Sequence, residues 1–231
     1  MMMTNPDASH IRSYVLRSGR LTSGQAQAMD EHYARFGLSL AQLADLSTVF
    51  DTPHPIFLEI GFGTGEVLLN LAKKYPERNF IGVEVHKPGV GHLLHQLVAE
   101  DVENVRVVSL DVIDVLAALP ANALAGVLLF FPDPWPKRKH RKRRLVRPEV
   151  VQAIATILQS NGHFFLATDW EDYAQQMLKV VESSGVFMNE AGEGQFSQSH
   201  ELRSSSRFER RGKRLGHGVW DLIFRKPTMS G

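Results

Sequence analysis

The chain has 231 residues, 43% hydrophobic and 22% charged, with a net charge of +1, which fits an ordinary globular protein with room for one substantial domain. No apolar run approaches the ~20 residues that span a bilayer, and the N-terminal MMMTNPDASH lacks the basic-then-apolar pattern of a signal peptide, so a cytoplasmic protein away from the membrane is expected. Cysteine is absent, which excludes disulfides, thiolate metal sites and thiol nucleophiles.

Residues 1–10 carry no pattern of regular structure, and 11–20 form a short basic-apolar segment. Thr22-Ser-Gly-Gln25 has the spacing of a capping box and predicts a helix running to about Phe36. From Pro55 the pattern changes. Strands are predicted at 55–62, 79–85, 104–111, 125–131 and 162–169, and helices at 66–75, 88–101, 112–119, 147–160 and 172–184. Glycine recurs between Gly185 and Gly218, a stretch read as loop-rich, and VWDLIFRK at 219–226 reads as a closing strand. Strands that are apolar throughout and alternate with helices imply a parallel sheet buried on both faces. The expected organisation is an N-terminal helical appendage over 1–50 and one doubly wound α/β domain over 51–231, without internal repeats.

The near-neutral net charge hides an asymmetry. Residues 137–147 carry eight Lys/Arg and 203–214 carry six, 14 of the 26 cations, with Glu209 as the single acid among them. The remainder holds 12 cations against 24 acids. An acidic body with two concentrated basic segments is the layout of a protein that holds a polyanion at one place; the alternative is a solvated charge run.

In open α/β sheets ligands bind beyond the carboxyl ends of the strands. Five successive strands each place an acid at or near their carboxyl end: Glu59, Glu84, Asp111, Asp133 and Asp169. After the first comes a glycine loop, Gly61-Phe-Gly63-Thr-Gly65, which lets backbone pass close to a ligand. Its spacing is not the G-x-G-x-x-G of dinucleotide sites. Glu59 would also repel a pyrophosphate, whereas it would attract a cationic ligand such as S-adenosylmethionine. Glu84 lies about 20 residues past the loop, the interval of a ribose-binding acid, and Asp111 could accept from an adenine amino group. Helix or turn capping is the alternative for each acid taken alone.

LEIGFGTGE, GVEVHKPG, FPDPWPKRKHRKRR, ATDWEDY and SRFERRG together resemble the tRNA (guanine-N7-)-methyltransferases, over nearly all of 11–226. The resemblance implies a Rossmann-like class I methyltransferase fold, a seven-stranded, mostly parallel sheet with helices on both faces and the last strand antiparallel. It implies S-adenosyl-L-methionine as cofactor, S-adenosyl-L-homocysteine as product, and tRNA as partner, methylated at the variable-loop guanine at tRNA position 46. Glu59, Gly61, Gly63, Gly65, Glu84, Asp111 and Asp133 match cofactor-binding positions, and Asp133 also matches the family's catalytic acid. Lys137, Asp169, Ser206, Arg207, Phe208 and Glu209 match substrate-binding positions. Lys139, His140, Arg141, Lys142, Arg143 and Arg144 match an RNA-contacting segment. Two departures stand out: Ser-Arg-Phe-Glu where many relatives have Thr-Lys-Phe-Glu, and Pro136 where many have His.

Methyl transfer from a sulfonium needs alignment, and proximity alone supplies ~7–11 kcal/mol. Guanine N7 already presents a lone pair, so Asp133 is expected to orient the base and stabilise developing charge. Asp169 and Glu209 could accept from guanine N1–H and the 2-amino group, a pattern adenine lacks. Trp135 and Phe208 are candidates for stacking on an exposed base, with ordinary packing as the alternative. Methylation at a pyrimidine C5 is excluded with the cysteines. The histidines show no metal-ligand spacing, so no metal is expected. A monomer is favoured over a homodimer. Three rivals are carried: a methyltransferase acting on an exocyclic base amine, whose usual strand-end motif Asp133-Pro-Trp-Pro matches only distantly; a nicotinamide-dependent oxidoreductase; and an RNA-binding module.

Overall fold

The computed structural model describes residues 21–203 and 218–228. Its seven strands form one sheet in the order β3-β2-β1-β4-β5-β7-β6, the strands being β1 (Ile56–Ile60), β2 (Asn79–Val83), β3 (Val105–Val108), β4 (Leu124–Phe130), β5 (Leu158–Thr168), β6 (Met188–Asn189) and β7 (Trp220–Arg225). β1 to β5 are parallel neighbours. β7 runs antiparallel to β5, and β6 antiparallel to β7. The sequence pattern does not reveal β6, because two residues are too few for a period.

Alternate residues of each strand enter opposite cores. Leu58, Ile60, Ile81, Val83, Val127 and Leu129 lie in one core, with buried residues of α5 (Val112–Ala118), α6 (Pro148–Ile157) and α7 (Glu171–Ser183). Phe80 and Leu128 lie in the other, with α1 (Ser23–Phe36), α3 (Glu66–Lys74) and α4 (Lys87–Ala99). The side-chain period of two in a strand is what allows a single sheet to feed both. The crossing from β1 to β4 reverses the strand order, and that reversal opens a crevice above the carboxyl ends.

α1 begins at the predicted capping box. The Gln25 N–H bonds Thr22 Oγ1 at 3.3 Å, and the Thr22 N–H bonds Gln25 Oε1 at 3.0 Å. A second capping box at Ser39 and Gln42 starts α2 (Leu40–Leu43), a turn too short to be legible as a period. Residues 21–50 share the cores of the larger unit: Phe36 belongs to one and Leu43 to the other. The Leu38 N–H bonds the Val107 carbonyl at 2.9 Å, so this segment also covers part of the β3 edge.

α1 and α4 approach so closely that a Cβ on Gly91 would lie 2.6 Å from the Gln25 carbonyl oxygen. Alanine would gain ~1 kcal/mol of helix propensity at that position, but overpacking commonly costs ~1–3 kcal/mol. Gly91→Ala is therefore expected to lower thermal stability, with calorimetry showing an earlier transition, whereas an exposed-glycine substitution such as Gly24→Ala, with open space at its Cβ, should not.

Candidate active site

β1 ends in Glu59 and Ile60, and the chain then makes three left-handed residues, Gly61 (φ 72°), Gly63 (φ 60°) and Gly65 (φ 79°). Any residue with a Cβ is strained there. The turn is closed by Gly61 N–H on the Val83 carbonyl at 2.8 Å and Gly65 N–H on the Phe62 carbonyl at 2.9 Å. A Cβ on Gly89, in the first turn of α4, would come within 2.0 Å of the Gly63 carbonyl oxygen. Glycine is thus required on both sides of the contact between loop and helix.

Glu59 is 3% exposed, and its Oε2 has no hydrogen-bond partner among the described residues. Burial first, and the neighbouring Glu84 second, push its carboxyl up to about 8. A buried carboxyl with a bare oxygen beside a glycine loop has the chemistry to accept a hydrogen bond from a cation. Glu84 is held by the backbone: Oε2 accepts the Gly63 N–H and Oε1 the His86 N–H, both at 2.9 Å. A carboxylate has about four lone-pair sites, so each oxygen keeps one for a ligand. Asp111 caps α5, its Oδ1 accepting the Ile113 N–H at 3.0 Å. The capping alternative is therefore realised for this acid, which retains its other oxygen.

A cavity of about 500 Å³ occupies the crevice, within the size range of small-molecule sites. Glu59, Gly61 and Gly63 line it, together with Phe130 and Phe131 from the end of β4 and Gln25 from α1. Glu84, Asp111, Asp133 and Asp169 do not form its wall. Gln25 is a lining residue that the sequence reading missed: its capping-box spacing marks a helix start, and nothing local shows that this start faces the crevice.

Asp133 is exposed, two residues beyond Phe131. The Phe131 N–H bonds the Ala167 carbonyl at 2.8 Å, which sets the ends of β4 and β5 side by side. Phe131 (φ 52°) and Trp135 (φ 44°) are both left-handed, an uncommon conformation for bulky residues. The Arg143 guanidinium lies 5.0 Å over the Trp135 ring, and His140 meets its edge at 5.9 Å. One Trp135 face is therefore covered by a cation.

The basic run forms a 3-10 turn, Arg138–Arg143. Lys137, Arg138, Lys139, Arg141 and Lys142 are exposed. Arg141 pairs with Asp172 at 2.9 Å. Arg144 departs from the expected row of RNA-facing cations: its side chain is 1% exposed and bonded to protein on every side that its hydrogen bonds report. Arg203, counted with the second basic segment, is likewise buried and pairs with Asp221 at 2.6 Å. The expected substrate residues Ser206, Arg207, Phe208 and Glu209 lie outside the described residues.

Residues 53–222 match a family model described as a putative methyltransferase. The chain is 50% identical to a tRNA (guanine-N(7)-)-methyltransferase of Thiobacillus denitrificans, over 94% of this chain and 95% of that protein. It is 46% identical to one of Methylococcus capsulatus, over 97% and 98%. Among solved structures, it resembles the 16S rRNA methyltransferase KamB (TM-score 0.55, 15% identity, 81% of this chain and 91% of that one). It also resembles a variant 16S rRNA (adenine(1408)-N(1))-methyltransferase with its cosubstrate SAM (TM-score 0.57, 16% identity, 84% and 94%). At such identities the solved structures speak for the fold, a class I methyltransferase sheet.

The raised carboxyl of Glu59 predicts a pH dependence of stability. The unfolded group loses its proton near 4.5, the folded one near 8. Its contribution is fully present below 4.5 and is lost as pH rises through about 8. Unfolding of the ligand-free protein should therefore become easier over that window, by up to a few kcal/mol. Glu59→Gln should flatten this slope in urea titrations taken across the pH range, and should weaken binding of a cationic ligand.

Proposed function

The chain belongs to the tRNA (guanine-N(7)-)-methyltransferase family, and on that footing we propose that it transfers the methyl group of S-adenosylmethionine to N7 of a guanine in tRNA, the variable-loop guanine at position 46. What carries the reading is one juxtaposition. A crevice walled by an uncompensated buried acid lies under a strand end, and that strand end continues through Asp133 into a row of exposed cations.

S-adenosylmethionine, when bound, supplies a methyl group on a cationic sulfur. The residues present fit it. Glu59 would accept from the ammonium and release its own proton to solvent, since the cation would offset the burial that raised its pKa. Gly61, Gly63 and Gly65 bring backbone close to the ligand without side chains in the way. Glu84, steadied by two backbone N–H groups, uses its spare lone pairs on the ribose hydroxyls. Asp111 offers its second oxygen to the adenine amino group.

Guanine N7 would attack the methyl carbon with its existing lone pair as the carbon–sulfur bond breaks and S-adenosylhomocysteine leaves, and no proton has to depart first. Asp133 then orients the base and offsets the positive charge that grows on the purine ring. Asp169 and Glu209 accept from N1–H and the 2-amino group, and an adenine would leave those acceptors unpaired. The indole ring of Trp135, with the Arg143 guanidinium 5.0 Å over it, is the aromatic surface on which a base would stack. Lys137, Arg138, Lys139 and Lys142 neutralise phosphates. With tRNA as substrate, the working compartment is the cytoplasm; no described helix is long and apolar enough to cross a membrane.

The deciding assay incubates the protein with methyl-labelled S-adenosylmethionine and unmodified tRNA and identifies the product nucleoside by mass spectrometry. N7-methylguanosine is expected. A base methylated on an exocyclic amine would replace this reading with the amine-methylating one. In single-turnover reactions at saturating tRNA, Asp133→Ala should lose roughly 10²–10³ in rate, the usual cost of one preorganised electrostatic partner. Asp133→Asn should keep measurably more, because N7 needs no base. Replacing both Lys139 and Lys142 by Ala should weaken tRNA binding and lower its salt slope by about 2, as counterion release scales with phosphates neutralised, with cofactor affinity unchanged.

A further inference from the structure

Eight cations follow Asp133 within residues 137–147, and one of them points inward. The Arg144 side chain is 1% exposed. A buried guanidinium is tolerated when its fixed fork of donors is matched, and here all three nitrogens are engaged. Nε donates to the Pro134 carbonyl at 2.8 Å, Nη1 to Gln176 Oε1 at 2.6 Å, and Nη2 to Asp172 Oδ2 at 2.7 Å. Its carbon lies 4.7 Å over the ring of Tyr173. The following segment is tied to the same helix: the Val146 N–H bonds Tyr173 Oη at 3.2 Å, and Gln176 Nε2 bonds the Val146 carbonyl at 3.3 Å.

The Pro134 carbonyl is one residue past Asp133. The span from Phe131 to Trp135 carries left-handed backbone at both ends, a conformation that persists only where surroundings hold it. At the near end the hold is the Phe131 N–H on Ala167. At the far end it is Arg144 on Pro134. Asp133 sits between the two clamps, and the second of them is anchored in α7, the helix that follows Asp169.

We propose that Arg144 is a positioning residue for methyl transfer, which fixes Asp133 at the crevice through the Pro134 carbonyl and α7 instead of meeting tRNA phosphate. This rests on the reading of Asp133 given above. Asp172 extends the device outward. It accepts from Arg144 and, at 2.9 Å, from the exposed Arg141. The base of the cation row and the clamp on Asp133 thus share one carboxylate.

A double-mutant cycle between Arg144→Met and Asp133→Ala tests it, with single-turnover rates at saturating tRNA, tRNA affinity over a salt series, and S-adenosylmethionine affinity as the check on folding. Arg144→Met is expected to slow methyl transfer by about 10- to 100-fold, the scale of a displacement near 1 Å, with tRNA affinity and its salt slope close to wild type. In the Asp133→Ala background the same substitution should cost less than about threefold, because the group it positions is gone. Arg144→Lys keeps the charge without the fork, and is expected to recover little of the rate. If Arg144→Met fails to bind cofactor, the Lys variant carries the cycle. A salt slope lower by about 1 with an unchanged saturated rate would identify a phosphate contact and overturn the proposal. Equal losses in both backgrounds would reduce Arg144 to general support and overturn it as well, as would full recovery by Lys. Asp133→Ala turning over like wild type would sink the role of Asp133 itself, an outcome visible before Arg144 is touched.

Discussion

A carboxyl group buried at the end of the central strand sets the terms for everything around it. Glu59 is 3% exposed with an oxygen that no described residue satisfies. Ionised and alone, it would cost several kcal/mol in such a place. The protein meets that cost by holding the proton to a pH of about 8, and a cationic ligand would meet it by supplying the missing charge. Such a crevice favours a cation, which would let the carboxyl ionise, over an anion, which would hold it neutral.

The loop above Glu59 translates that charge into geometry. Three left-handed glycines turn the chain so that the Gly63 N–H meets Glu84, while Gly89 leaves space for the Gly63 carbonyl. The two acids of β1 and β2 are therefore fixed by the same turn. One is left bare for a cation, and the other is braced by two N–H groups, with lone pairs to spare. Packing also brings α1 into this wall through Gln25, so the N-terminal segment is continuous with the site in space although it precedes the sheet in sequence.

The cation run divides its labour by burial. Exposed side chains such as Lys139 and Lys142 can act only through long-range charge and phosphate contact. Arg143 and His140 frame Trp135, and Arg144 locks the backbone beside Asp133. Exposed cations are the ones that could release counterions from a polyanion, whereas the buried Arg144 is tied to backbone one residue from Asp133. A stretch that reads as uniform polycation therefore contains both solvent-facing cations and one built into the fold.

The sequence by itself determined the alternation of strands and helices, the capping box at Thr22, the glycine loop and the acid at each strand end. These are local properties: a period of two or 3.6, a φ that only glycine tolerates freely, and an acid at a fixed offset from an apolar run. It also carried the family motifs from LEIGFGTGE to SRFERRG. Short elements escaped it, such as β6 with two residues and α2 with four, because they have no period to detect. Only the tertiary structure decided which members of a class differ from the rest. Glu59 and Asp111 are both strand-end acids, but one is sealed with a bare oxygen and the other caps a helix. Arg144 and Lys142 are both cations of one run, but one is buried against α7 and the other meets water. Burial and partnering depend on residues tens of positions away, such as Asp172 and Gln176, and no local pattern encodes which way a side chain turns when the chain closes on itself.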